Sequence, residues 1–361
     1  MTPVTLSSLR TYSLRRSLQQ PRSLEVVLET LGFVQADPIR APARAQDLIL
    51  RPRVAGYKAG DLERLYPSLE IEEDYFVNYG FLTREAQSHM HPRSFDRTLQ
   101  IERDAPDLSA RVLEFVSEFG ATHPKDLERH FGKLQSGNAW GGTSQATTRV
   151  LDALHYRGQL RVVRRDKGIK VYEVATHHAL QLRSPLEMVA GVLHLIVNQY
   201  APLPMKGLRQ LVALSGLGAP HLKTAFKQYL KQLLLEQFRS VTLDAVTYVY
   251  PQGESLEAET LDQVKLLAPF DPIVWDRGRF ALLHGWEYRF EAYTPAAKRI
   301  RGYYALPMLW RDHAIGWANL NVVSGKLEAE LGFTGTPPKG KAFKSALEAE
   351  LAAMAAFLGL V

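Results

Sequence analysis

Apolar residues fall at helical spacing, then at alternate positions, and the chain repeats that succession along most of its length. Leu6, Leu9, Leu14 and Leu18 keep near the helical period, Thr5 or Ser7 can cap the run, and Pro21 stops it. A second helix is predicted from Ser23 to Leu31, closed by Gly32. The apolar stretch Leu31 to Val34 then leads into Gln35-Ala36-Asp37-Pro38. Alternation in a short strand would put Gln35 and Asp37 on one face, and Pro38, with no N–H to donate, would end the ladder. A helix-like run resumes from about Arg44 to Val54 and again from Asp61 to Tyr66. Ser68 to Phe81 reads as strand material, rich in β-branched and aromatic residues.

The clearest succession comes next. Asp107 to Phe119 is a helix ended by Gly120, another starts at Thr122 to Leu127, and the Gly-rich joint Gln135 to Gly142 follows. Thr143 to Arg157 buries Val150, Leu151 and Leu154, and Gln159 to Val174 alternates as a hairpin around Asp166-Lys167-Gly168. Three helices and a basic hairpin are the order of a winged helix-turn-helix. The order recurs about eighty residues on, a period that argues for tandem units rather than a solenoid. Its elements are Leu186–Tyr200, Leu208–Leu214, Pro220–Gln237 and a hairpin over Phe238–Tyr250. From Glu257 onward the texture changes: Tyr288 to Tyr293 alternates, short strands run to Leu331, and Leu347 to Leu358 closes as a helix. That stretch reads as a small β-barrel or sheet.

Composition narrows the function. A chain of 361 residues, 46% apolar and 23% charged, is an ordinary globular protein of two to four domains. It has no cysteine, which excludes disulfides, Cys-ligated zinc, iron–sulfur clusters and a thiol nucleophile. The first thirty residues carry Arg10, Arg15, Arg16 and Arg22 without the apolar core of a signal peptide, and no run reaches membrane-spanning length. A cytoplasmic, non-membrane protein is expected. His89 and His91 stand two apart without a third ligand at metal spacing, so no metal is expected. The net charge of +6 hints at an anionic partner. Its clustering says more: Arg161, Arg164, Arg165, Lys167 and Lys170 crowd one wing, where phosphate contacts compete with protein docking as the reading. Lys298, Arg299 and Arg301 mix with Tyr303 and Trp275 in a way that suits a nucleic acid backbone and an unstacked base, although aromatics at such spacing are as often core. Gln35 and Asp37, with Arg44, Arg51 and Arg53 close behind, bring an amide and a carboxylate together on a basic background.

Three segments carry a resemblance over nearly the whole length: QADPIRAPARAQDLIL at 35–50, SQATTRVLDALHYRGQLRVVRR at 144–165, and LLAPFDPIVWDRGR with YTPAAKRIRGYYALPMLW at 266–310. The chain resembles the winged-helix DNA glycosylases of the YcaQ/AlkZ type, bacterial enzymes that unhook interstrand crosslinks and excise bulky alkylated bases. The resemblance implies a mainly helical α+β fold of three tandem winged helix-turn-helix motifs followed by a C-terminal β-barrel. The corresponding segments are 1–100, 101–180, 181–255 and 256–361. It implies a Gln-x-Asp catalytic motif at Gln35 and Asp37, and a substrate pocket at Tyr75, Asn78 and Tyr79, where many members carry a histidine near Asn78. Damaged double-stranded DNA would be held by Arg44, Arg51, Arg53, Thr147, Arg149, Arg164, Arg165, Lys167, Arg277, Lys298, Arg299 and Arg301. No cofactor and no obligate protein partner is implied, and a monomer is expected. The rival reading is a non-catalytic DNA-binding protein, a regulator or lesion sensor.

Overall fold

The first helix, Leu6–Ser17, starts at a reciprocal cap: the Thr5 hydroxyl accepts from the Ser8 N–H at 3.1 Å, and the Ser8 hydroxyl from the Thr5 N–H at 2.8 Å. Ser23 caps the next, Leu24–Leu31, and Gly32 closes it in the left-handed region at φ 66°. The strand Phe33–Gln35 follows directly. The computed structural model describes residues 3–18, 22–93, 98–137, 143–176, 183–257 and 262–360. The centre of the Gly-rich joint, 138–142, and the segment boundary expected at 180 lie outside them.

The chain forms two units, neither of them one continuous stretch. One comprises Met1–Leu62, Leu193–Ala213 and Leu230–Val361; the other comprises Glu63–Val192 and Leu214–Tyr229. In the second unit, Ile71–Tyr75 and Tyr79–Thr83 pair antiparallel from Ile71↔Thr83 to Tyr75↔Tyr79. The helices Pro106–Phe119, Pro124–Phe131 and Ala146–Tyr156 then precede the hairpin Leu160–Asp166 with Ile169–Val174, in the order the sequence pattern predicts. Thr122 bridges to Tyr172 and adds a third edge to the hairpin. Val112, Leu127, Val150, Leu151, Val162 and Val171 are sealed between these elements, each worth about 1.5–3 kcal/mol of burial. Lys167 and Gly168 both sit at positive φ, 51° and 84°, the tight turn whose twist matches paired strands.

In the first unit, Phe238–Leu243 and Val246–Pro251 form a hairpin, with Leu203–Pro204 on its other edge. The C-terminal strands Val264–Leu266, Leu306–Trp310, His313–Val323 and Lys326–Phe333 make an open antiparallel sheet in that order, not the expected closed barrel. Closure is pre-empted on one edge. The Leu266 N–H goes to Glu350 Oε1 at 2.7 Å, and the Leu266 carbonyl accepts from Arg51 at 3.1 Å. The opposite edge strand carries Lys326, Glu328 and Glu330, charges that discourage further pairing. Tyr288 to Tyr293, predicted as a strand, pairs with no strand among the described residues. The alternation begins just upstream, where Trp286 and Tyr288 are turned inward while Glu287 and Arg289 are exposed. Both rings join a core of Leu267, Ile273, Val274, Phe280 and Leu309, against which Leu14 of the first helix and Leu18 just past its end pack.

Candidate active site

Gln35 ends the Phe33–Gln35 strand and is buried. The indole N–H of Trp275 donates to its Oε1 at 2.8 Å. An indole can only donate, so the contact fixes the amide oxygen and leaves the NH2 end to face other partners. Trp275 is aimed by its own short helix, Pro272–Trp275, whose first turn is capped by Asp271 Oδ1 accepting from the Ile273 N–H at 3.0 Å. Asp271 is held in turn by both terminal nitrogens of Arg53, at 2.7 and 2.9 Å. Asp276 caps the helix Arg277–His284, and the buried Arg279 gathers the carbonyls of Pro272, Ile273 and Tyr200. The run FDPIVWDRGR is thus a scaffold of two caps and one buried guanidinium, built around the donor to Gln35.

Asp37 departs from the strand argument. The strand stops at Gln35, so Asp37 stands beyond it in a turn, its Oδ1 accepting from the Ile39 N–H at 2.9 Å and its own N–H reaching Gln46 Oε1 at 3.4 Å. It is half-buried, and burial pushes its carboxyl above the ordinary aspartate value, opposed only by that Ile39 N–H. Its second oxygen has no protein donor among the described residues.

Tyr75, Asn78 and Tyr79 belong to the other unit. Tyr75 packs edge-on against Tyr79 and Tyr156 with centroids 5.0 and 5.5 Å away. Tyr79 donates to Glu73 Oε2 at 2.9 Å and carries Lys170 over its ring at 4.4 Å. Asn78 is exposed at the hairpin tip, where its Oδ1 accepts the Tyr79 N–H at 2.9 Å. Beneath them three consecutive carboxylates, Glu72, Glu73 and Asp74, are each 1% exposed. Arg161 and Arg84 hold Glu72, Arg165 holds Glu73, and Arg93, His91 and Gln87 hold Asp74. Sequence reasoning missed this network. Its one visible signal was a row of acids inside an apolar strand.

A family model described as DNA glycosylase AlkZ-like matches residues 28–357. The chain belongs to the AlkZ-like DNA glycosylase family. Among solved structures it is similar to the Streptomyces sahachiroi DNA glycosylase AlkZ, with a TM-score of 0.65 and 15% sequence identity over 99% of this chain and 98% of that one. The shared fold is therefore far better kept than the sequence.

A DNA glycosylase of this AlkZ-like family meets a polyanion, and its candidate DNA-contact residues sort by what they already hold. Arg51 and Arg53 are buried in ion pairs with Glu350 and Asp271, and Thr147 is buried in its helix; all three leave the DNA-contact set because no phosphate reaches a sealed side chain. Arg165 is committed to Glu73. Arg277 lies over the Tyr288 ring at 4.6 Å and donates to the Val274 carbonyl; Arg301 stacks on Trp286 and bonds the Glu287 carbonyl at 3.2 Å. Arg44 precedes the helix Ala45–Leu50, and Arg149 lies 3.8 Å from Asp104. Arg299 stacks on Tyr303 at 5.0 Å, and Lys298 is exposed. Arg164 and Lys167 line a cleft of ≈ 690 Å³ on the wing, together with His123, Lys125 and Arg129. Those last three are residues that charge-run reading passed over, because they lie some forty positions upstream of the wing. No group of three His, Asp or Glu set to hold a metal is present among the described residues.

Proposed function

We propose that this AlkZ-like glycosylase hydrolyses the N-glycosidic bond of N7-alkylated purines in double-stranded DNA, bulky and crosslinked adducts included. Such a base is already cationic and leaves as a neutral molecule with the bonding electron pair, so little acid assistance is needed. What the enzyme must supply is stabilisation of an oxocarbenium-like sugar and a positioned water. Asp37, ionised, serves the first electrostatically and the second as general base, and Gln35 orients sugar or water through its NH2 end. The observation that carries this reading is Asp37 itself: a half-buried carboxylate with one compensating N–H, two residues along the chain from an amide fixed by Trp275. The wing cleft, with Arg164, Lys167, Lys125 and Arg129, is the proposed seat of backbone phosphates.

The test is base release from duplexes carrying 7-methylguanine or a nitrogen-mustard crosslink, wild type against Asp37→Asn. Release that vanishes in the variant while DNA affinity persists is expected. Binding without release by the wild type would favour the rival, a DNA-binding protein that kept the cleft and lost the chemistry.

A further inference from the structure

We infer that Ile300 is a wedge that enters the base stack of bound duplex DNA and holds one base step open. The inference rests on the glycosylase reading above, which makes duplex DNA the partner, and gives a role to a part of the surface that carries no chemistry of its own.

Ile300 is 77% exposed and Tyr293 80%, and Tyr303 is exposed as well. Single apolar residues scattered over a surface need no explanation, but three in one short loop form a patch, and patches mark binding surfaces. The loop is not loose. Glu291, itself buried, turns its Oε2 onto the successive N–H groups of Ile300, Arg301 and Gly302, at 2.9, 2.7 and 3.3 Å. Arg299 Nε donates to the Thr294 carbonyl at 2.8 Å, so Ile300 and Tyr293 stand one residue to either side of a bond across the loop. Asn319 donates to the Arg301 carbonyl at 2.7 Å, and its side chain leaves no room for a Cβ at Gly302, where φ is 120°. Arg301 turns inward onto Trp286 and the Glu287 carbonyl. This frame fixes the backbone and leaves Ile300 in water. A β-branched side chain has few rotamers, so the result is a stiff apolar tip on a fixed loop.

Charge says what the tip meets. From Arg289 to Tyr303 the chain carries Arg289, Lys298, Arg299 and Arg301 against a single acid, Glu291, which is spent inside the loop. Lys298 is exposed two residues before Ile300, and Arg299 lies over the Tyr303 ring at 5.0 Å. An apolar tip among cations fits a partner that is anionic outside and apolar within, and duplex DNA is built that way. Phosphates take the cations, and the aliphatic tip enters between bases, as apolar wedges do in proteins that kink the duplex. The base of the loop rests on the core that aims Gln35. Trp286 and Tyr288 pack with Ile273 and Val274 of the short helix ending in Trp275, the donor to the Gln35 amide. An open step loosens the damaged nucleotide and bares its sugar, so Ile300 is a positioning residue and no bond forms or breaks at it.

The test is a permanganate footprint, which reads unstacked thymines, on duplexes with thymines on both sides of a 7-methylguanine and protein in saturating amount. A thymine near the lesion is expected to become reactive in the wild-type complex and to fall back to the level of free DNA with Ile300→Ala. Single-turnover base release by that variant should slow about 10-fold, a part of what unstacking a step costs. Its melting temperature should not move, because the side chain lies in water. Ile300→Leu, which restores an aliphatic tip, should recover both footprint and rate. A wild-type complex without a reactive thymine would overturn the inference, and so would an Ile300→Ala complex with the wild-type footprint. Self-association of the wild type that Ile300→Ala abolishes, with the footprint unchanged, would assign the patch to a second copy of this chain and overturn it too. A wild type that opens the step but releases no base would overturn the glycosylase reading and leave the wedge standing.

Discussion

Asp37 and the Glu72-Glu73-Asp74 run show the same chemical group treated in opposite ways. In the second unit each carboxylate is 1% exposed and fully answered: Glu72 by two guanidiniums, Glu73 by Arg165 and Tyr79, Asp74 by Arg93, His91 and Gln87. Burial alone would raise Asp74, yet Arg93 and His91 hold it well below the ordinary aspartate value. Asp37 is less buried and receives a single backbone N–H, so burial wins and its carboxyl is raised. The answered carboxylates belong to an internal network; the sparsely answered one is the group to which we assign the chemistry. A partner list separates these roles better than burial does.

The largest expected effect breaks the comparison at Asp37. Asp37→Asn should slow base release by about 10²–10⁴-fold, the range for a lost general base, with DNA affinity unchanged. Its stability should hold or rise near neutral pH. A carboxyl raised by folding favours the native state at low pH, and that contribution fades as pH climbs through the raised value, so a neutral amide removes a penalty there. For the same reason the wild-type rate should climb with pH across a limb lying above the usual aspartate range. A limb at or below that range, or a variant that unfolds, would place Asp37 with the structural carboxylates.

The mirror-image change is Asp74→Asn. It leaves the buried Arg93 guanidinium without its counter-charge and should cost about 3–5 kcal/mol in urea unfolding. The sign with pH is the reverse of that at Asp37. Stability from a depressed carboxyl is present above the ordinary aspartate value and lost as pH falls through the lower native one, so the wild type should lose it only in strong acid. The variant should lack that acid transition and keep base release per folded molecule.

Which carboxylate was which could not be read from the sequence. Helix limits were legible because caps and stops are local: Thr5, Ser23, Gly32 and the Lys167–Gly168 turn sit where the residue types ask for them. Strand alternation, the sequence's reason for setting Gln35 and Asp37 on one face, does not hold, because the strand stops at Gln35 and Asp37 stands beyond it in a turn. Partners far along the chain were not legible. Arg53 meets Asp271 across 218 positions, and Arg51 meets Glu350 across 299, so two cations that looked like phosphate contacts are internal struts. The open edge of the C-terminal sheet was hidden for the same reason, since Glu350 and Arg51 satisfy Leu266 from outside the strand pattern.

The cations sharpen the comparison at smaller scale. Arg164 and Lys167 line the open cleft, and among the described residues Arg164 is paired only with exposed Asp166, a contact worth about 0–1 kcal/mol. Arg164→Ala with Lys167→Ala should leave stability alone, weaken DNA binding for every sequence, and reduce the slope of log affinity against log salt by about 2. Arg165→Ala, one position along, should do the opposite by stranding Glu73.

The smallest effect tests whether Gln35 works through its scaffold. Trp275→Phe keeps an aromatic ring against Tyr200, 5.7 Å away, and deletes the one N–H that fixes the Gln35 amide. A hydrogen bond of about 1 kcal/mol corresponds to roughly a fivefold slower release, with affinity for DNA held. Gln35→Ala should cost at least as much, and the double variant should be no slower than Gln35→Ala alone, since Trp275 then has nothing left to orient. Additive losses would mean that Trp275 acts on the substrate directly, and the amide would need another support.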